Sequence, residues 1–251
     1  MEAILTGARI QEIRLEAIAN NIANINTSGF KEDKIFSIEE ILTSGDNDSA
    51  ESTGSYLTEN STLKLPVSTY VNFSQGPIIQ TGSTLDLAIE GEGFFCVMTP
   101  DGKQYTRDGK FTINNEDVIV NQEGYPVLGT GGEITIDGNN FSADEISIDE
   151  EGNIYQGESE IDTFRIESFD DLDSLKKVGE TLFAPKNAGV SGNIAEEISI
   201  HQGFLEQSNV ETIRAMTEMI EVLRGYEAYQ KALKTIDQID SKAINEVGSI
   251  T

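Results

Sequence analysis

Ala19-Asn20-Asn21-Ile22-Ala23-Asn24-Ile25-Asn26-Thr27-Ser28-Gly29-Phe30-Lys31 is the stretch that decides the fold: a helical pattern loaded with asparagine runs into a break and then an aromatic residue. Upstream, Ile4, Ala8, Leu15, Ile18, Ile22 and Ile25 recur on the four-three spacing of a heptad seam, with Gln11 the only polar member of the run. Such a stripe needs a partner. Asn20 and Asn24 stand four residues apart and share a helical face, where each amide offers donors and acceptors. Two readings follow: a frayed helix end that turns at Ser28-Gly29, or a packed polar layer at a helix–helix contact. The spacing predicts a helix over residues 3–26, about 35 Å long, with further apolar positions at Leu5, Ile10, Ile13 and Ala17.

The far end of the chain answers this pattern. From Val210 the residues Ile213, Met216, Ile220, Leu223, Tyr226, Leu233, Ile236, Ala243 and Val247 recur at steps of three and four or their sums, and no proline interrupts them. They predict a helix from 210 to about 247, roughly 57 Å long. Gly225 costs it about 1 kcal/mol relative to alanine, and Asn209 or Ser208 is the expected N-cap. Met219, Val222, Tyr229 and Ile239 give this helix a second apolar side as well. Helices apolar on more than one side expect more than one neighbour.

Between the ends, β-prone pieces alternate with turn formers. Leu85–Ile89, Gly93–Met98, Lys103–Arg107, Lys110–Ile113, Val118–Val120, Tyr125–Leu128, Glu133–Ile136 and Ile146–Ile148 are separated by Asp-Gly, Asn-Asn and Gly-Gly pairs that tolerate positive φ. Ile161–Phe169 reads as one longer strand, and 43–62 as a polar exposed excursion. The expected class is α+β: long N- and C-terminal helices pairing as a coiled-coil-like element, with an all-β middle domain inserted between them. The expected divisions are 1–36 (N-terminal helix and turn), 37–75 (extended or flexible linker), 76–203 (acidic β-rich middle) and 204–251 (C-terminal helix).

Charge supports that division. The 251 residues carry 17 basic and 44 acidic side chains, a net charge of −27. Residues 32–209 hold nine bases and 34 acids, so they account for −25 of it, and the ends are close to neutral. Near-neutral striped ends suggest association and an acidic centre suggests solvation. Nucleic acid is a poor partner without clustered Lys and Arg, and no run approaches the roughly 18 apolar residues of a membrane span. Met1-Glu2-Ala3 lacks the basic start of a cleaved signal peptide.

Catalytic chemistry finds no foothold. Cys96 is the single cysteine and sits in Phe94-Phe95-Cys96-Val97-Met98, which reads as a buried strand thiol. Gly91-Glu92-Gly93 lacks the third glycine and following helix of a dinucleotide loop. The turns Asp137-Gly138-Asn139-Asn140 and Asp149-Glu150-Glu151-Gly152-Asn153 lack the alternating ligands and terminal Glu of a calcium loop. His201, the only histidine, has no nucleophile pattern near it. No catalytic, cofactor-binding or metal-binding residue is therefore named, and no cofactor is expected.

These residues carry a family resemblance. Ile18 to Lys31, ending Thr27-Ser28-Gly29-Phe30-Lys31, resembles the N-terminal signature of bacterial flagellar rod and hook proteins. Leu85-Asp86-Leu87-Ala88-Ile89-Glu90-Gly91-Glu92-Gly93-Phe94-Phe95, Tyr105-Thr106-Arg107-Asp108-Gly109 and Gly124-Tyr125-Pro126-Val127-Leu128-Gly129 are similar to the β domain of the rod subset. Gly203-Phe204-Leu205-Glu206-Gln207-Ser208-Asn209-Val210 with Arg224-Gly225-Tyr226-Glu227-Ala228 is similar to the family's C-terminal helix. Within the family the chain is most like the proximal-rod FlgF type, with the distal-rod FlgG type second.

The resemblance implies a non-enzymatic axial subunit of the flagellar basal-body rod that transmits torque from motor to hook. It implies copies of itself and other rod proteins as partners in a helical assembly, and the flagellar type III apparatus as the export route, without a cleaved signal peptide. No nucleic-acid binding or membrane insertion is expected. The expected assembly interface comprises Ile4, Ala8, Leu15, Ile18, Asn20, Asn21, Ile22, Asn24, Ile25, Asn26, Thr27, Gly29 and Phe30 from the first end. From the other end it takes Asn209, Ile213, Met216, Ile220, Leu223, Tyr226, Leu233, Ile236 and Val247. The alternatives are a distal-rod or hook-type axial subunit, or a carbohydrate- or calcium-binding extracellular β module.

Overall fold

The computed structural model describes residues 2–37, 67–136, 146–187, 189–195 and 197–248. The predicted excursion at 43–62 and the turn at 137–140 lie outside them. The chain divides into two units: residues 1–23, 33–70 and 211–251 form one, and residues 24–32 with 71–210 form the other.

The first unit is built on two helices, α1 (Glu2–Ala23) and α2 (Thr212–Gly248), which pack along each other. A Cβ added to Gly7 would lie 2.5 Å from the Tyr229 ring, and one on Gly225 would meet Gln11 at 3.4 Å. As the α1 number rises the α2 number falls, so the helices are antiparallel. α2 has 37 residues against 22 in α1, and its last turns run past the start of α1. Thr217 and Thr235 fold their hydroxyls back onto the carbonyls of Ile213 and Lys231, which satisfies them without a partner outside the helix.

The expectation of an α+β chain with a coiled-coil-like helix pair is overturned. Among the described residues only these two α-helices occur, at the two ends, and strands with one 3-10 turn (Leu172–Ser174) make up the regular structure between them. The helices do pair, but the pairing does not establish a coiled coil, because the first half of the anticipated α2 seam is exposed. On α2 the buried side chains are Ala215 and Val222, while the anticipated seam residues Ile213, Met216, Ile220 and Leu223 are 83%, 50%, 52% and 37% exposed. Two residues of offset turn a helix by about 200°, so the first half of the stripe faces away from α1. Ile25 lies beyond the end of α1 at Ala23.

The second unit is antiparallel β. Its largest sheet has the strand order Leu175–Val178, Leu182–Pro185, Gly102–Thr106, Phe94–Thr99, Ile166–Ser168, Asn193–Ile194. Phe94–Thr99 reads as a continuous apolar run because both of its faces are covered. Phe95 and Val97 belong to a cluster with Leu87, Ile89, Ile119, Ile154, Phe164 and Ile200, whereas Phe94 and Cys96 belong to one with Tyr105, Phe169, Leu175 and Phe183. Ile198–Gln202 pairs with Leu87–Gly91, Phe204–Glu206 with Ile78–Gln80, and Asn153–Gln156 with both Ser159–Thr163 and Ile146–Ile148.

The single strand predicted over 161–169 is two strands in different sheets, Ser159–Thr163 and Ile166–Ser168. Between them Phe164 and Arg165 leave the smaller sheet and bond backbone to backbone with Gly152 and Leu128.

Candidate functional site

The asparagine-rich stretch crosses from one unit to the other between Ala23 and Asn24, and its two halves do different work. In the helical unit, Asn21 is buried and grips the backbone of Asp33: its Nδ2 donates to Asp33 O and its Oδ1 accepts from Asp33 N, both at 2.9 Å. That bidentate amide imitates a strand partner. Asn20, its neighbour, is exposed.

In the β unit, Asn24 is buried and starts a turn. Thr27 N donates to Asn24 O, and Thr27 Oγ1 donates to Asn24 Oδ1, each at 3.1 Å. Gly29 follows with φ +67°, and a Cβ there would stand 2.2 Å from the backbone nitrogen of Asp108. Only glycine accepts both the conformation and the approach. Gly29 N donates to Glu206 O at 2.8 Å, and Ser28 Oγ donates to Asp108 Oδ1 at 2.5 Å.

Phe30 and Lys31 are fully buried. The Lys31 ammonium donates to Glu206 Oε1 at 2.6 Å and to Ser74 O at 2.8 Å. Arg107, also buried, brings Nη1 to 3.4 Å from the other Glu206 oxygen and donates from Nη2 to Gly91 O at 2.7 Å. Gly76 N completes the Glu206 shell at 2.8 Å. One carboxylate thus serves two buried cations. Burial pulls both Lys31 and Arg107 below their ordinary range, and Glu206 opposes that in each case. Burial also pushes Asp108 up to about 6, outweighing the hydrogen bonds from Ser28 and Lys110 N that favour its anion.

Over Phe30 the Lys177 ammonium stands 3.7 Å from the ring centroid and donates to Lys31 O at 2.9 Å. Glu32 N donates to Asn209 Oδ1 at 2.8 Å, while Asn209 Nδ2 reaches Asn72 O and Ser74 O at 2.8 and 2.9 Å. Asn209 is therefore a strut between chain segments, and α2 starts later, at Thr212.

The structure brings Asn24, Thr27, Gly29, Phe30 and Asn209 together in the β unit, with Asn26 exposed on the same turn. In the helical unit Ile4, Leu15, Ile18, Ile22, Tyr226, Leu233 and Ile236 are half-buried and Ala8 is buried. Val247 lies in the last turn of α2. Sequence reasoning did not name Glu206, Arg107, Asp108 or Lys177, although the first three stand in the quoted segments 203–210 and 105–109. No local pattern marked them: Glu206 is followed by Gln207-Ser208-Asn209, and Arg107 and Asp108 stand between Thr106 and Gly109.

The two other candidate groups are structural in their geometry. Asp149 turns its carboxylate on its own loop, accepting from Glu151 N at 3.1 Å and Asn153 N at 2.9 Å. His201 Nε2 is 2.7 Å from Glu90 Oε2 on the paired strand.

Residues 4–31 match the family model described as Flagella basal body rod protein, residues 88–156 the Flagellar hook protein FlgE/F/G D1 domain, and residues 201–246 the Flagellar basal body rod FlgEFG protein C-terminal. Over 94% of its length the chain is 36% identical to the flagellar basal-body rod protein FlgF of Caulobacter vibrioides, 92% of which is covered. The chain belongs to the flagellar basal-body rod proteins. Rod protein FlgG of Buchnera aphidicola subsp. Schizaphis graminum is 32% identical, over 94% of this chain and 95% of that one. FlgG of Bacillus subtilis is 31% identical, with 96% of each covered. The N-terminal rod match ends on Lys31 and the C-terminal one opens at His201, so the Lys31–Glu206 pair joins the two matched regions.

Proposed function

We propose that this rod protein is a structural axial subunit of the flagellar basal body, without catalytic activity, that assembles with copies of itself and with other rod proteins through its terminal helices. The observation that carries the reading is the exposed apolar face of Ile213, Met216, Ile220 and Leu223 on α2, a side that α1 leaves open. Four apolar side chains on adjacent turns of a 37-residue helix are costly to hydrate and suit another helix. Contacts of this kind, between unlike faces of identical subunits, propagate helically.

Residues Ile4 to Ile25 and Ile213 to Val247 named above supply this interface, and 27–32 and Asn209 root it in the β unit. The terminal helices order on incorporation, because the apolar faces that α1 and α2 do not bury on each other lack neighbours beforehand. FlgF relatives are 29–36% identical and FlgG relatives 30–33%, and we assign the proximal position on the Leu175-to-Lys177 region of the resemblance rather than on identity. Delivery is by the flagellar type III apparatus, and no helix among the described residues is long and apolar enough to cross a membrane.

Deletion in the native bacterium tests the reading. Loss of motility with a truncated rod is the expected result, and an intact rod with normal swimming rejects it.

A further inference from the structure

We propose that residues 24–32 are a latch that closes on the β unit independently of the helices, so that order in the unassembled chain begins at Asn24 and ends at Val210. This rests on the reading that the terminal helices order on incorporation. Bonds from residues 28–32 end on β-unit residues: Gly29 N on Glu206 O, the Lys31 ammonium on Glu206 and Ser74, Ser28 Oγ on Asp108, Glu32 N on Asn209, and Lys177 on Lys31 O. These six contacts hold the strap to the β unit.

Phe30 and Lys31 are as buried as any core residue, in contrast to the exposed α2 face. Gly29 leaves no freedom in how the strap lies, since a Cβ would collide with the Arg107–Asp108 backbone. The latch can also open without wrecking its seat. When Lys31 leaves, Glu206 keeps Arg107 as its counter-charge and Gly76 N as a donor, so the β unit is not left with an uncompensated buried carboxylate.

Closed, the latch splices the chain's two ends together at residues 29–32 and 206–209 before any helix has found a neighbour. Its function is to deliver both helices from one fixed origin, which lowers the chain entropy their later ordering must overcome.

Hydrogen exchange on the full-length monomer tests this. Peptides covering 24–32 are expected to exchange as slowly as those covering 94–106, and at least tenfold more slowly than those covering 4–20 and 213–245. In Lys31→Met, 24–32 should exchange at least tenfold faster with 94–106 unchanged. Exchange of 24–32 at the rate of 4–20 in the native chain, or unchanged protection in Lys31→Met, overturns the latch. Should Lys31→Met unfold the β unit, Asn209→Ala, which removes the Glu32 bond together with the Asn209 bonds to Asn72 O and Ser74 O, is expected to speed 24–32 at least threefold with 94–106 unchanged, and no change at 24–32 overturns the proposal. Slow exchange at 4–20 and 213–245 in the native monomer instead overturns the ordering of the helices on incorporation. The latch then stands if Lys31→Met frees 24–32 alone and falls if 4–20 is freed with it.

Discussion

The most consequential single residue is Glu206, whose carboxylate, alone among the described residues, contacts both buried cations, Lys31 and Arg107. Removing its charge takes the shared counter-charge from both cations, whereas removing Lys31 leaves the Glu206–Arg107 pair. Glu206→Gln is therefore expected to destabilise the β unit by about 3–5 kcal/mol in urea unfolding followed by tyrosine circular dichroism, and Lys31→Met by clearly less. Equal losses would mean that the two cations do not share one counter-charge.

Asp108 makes the opposite prediction. Its folded-state pKa, about 6, lies above the ordinary 3.8. A raised folded pKa means that its contribution to stability is fully present below about pH 4 and is lost as pH rises through 6. Asp108→Asn, which still accepts from Ser28 Oγ, should be more stable than the native chain at pH 8 by up to about 3 kcal/mol and no more stable at pH 4. Thermal melts across that range check the crossover.

At the scale of elements, the apolar runs, turn pairs and helical periods were legible, and so were both helices to within three residues at each end. What was not legible is which side of α2 meets α1. Ile213, Met216, Ile220 and Leu223 form as good a stripe as Ala215, Val222, Tyr229 and Ile236, and hydropathy favours the first. Geometry chose the second because Gly7 lets the Tyr229 ring in. The buried charges around Glu206 escaped for a related reason: their partners are up to 175 positions apart, and no local pattern announces such a pairing. The Gly29-Phe30-Lys31 end was found, but its receptor was not.

The two sides of α2 can be separated experimentally. Val222→Ala, on the buried side, should weaken the α1–α2 pair by about 1–3 kcal/mol once the helices have ordered in the rod. Ile213→Ser with Ile220→Ser, on the exposed side, should leave the melting curve of the monomer's β unit within about 0.5 kcal/mol yet abolish swimming and rod completion. A swimming Ile213→Ser, Ile220→Ser strain would remove this face from the assembly.

For the whole molecule, charge and assembly act on different parts of the chain. The −25 carried by residues 32–209 opposes compaction wherever it is concentrated, while the near-neutral ends feel little of it. Added salt screens such repulsion over about 10 Å at 0.1 M. The β-unit melting temperature should therefore rise between low and moderate ionic strength, and a salt-independent melt would show that the acidic side chains are too well spaced to interact.

Cys96 is fully buried in the second apolar cluster, and burial pushes its thiol up to about 12. At neutral pH the folded chain should take up essentially no maleimide, and full labelling should require denaturant. A protein whose sole native sulfhydryl is silent is already a blank background for spectroscopy. One cysteine introduced at Ile213 or Ile239 would carry a fluorophore or spin label with no other substitution, and its signal would report, in real time, when that surface is covered as a rod grows.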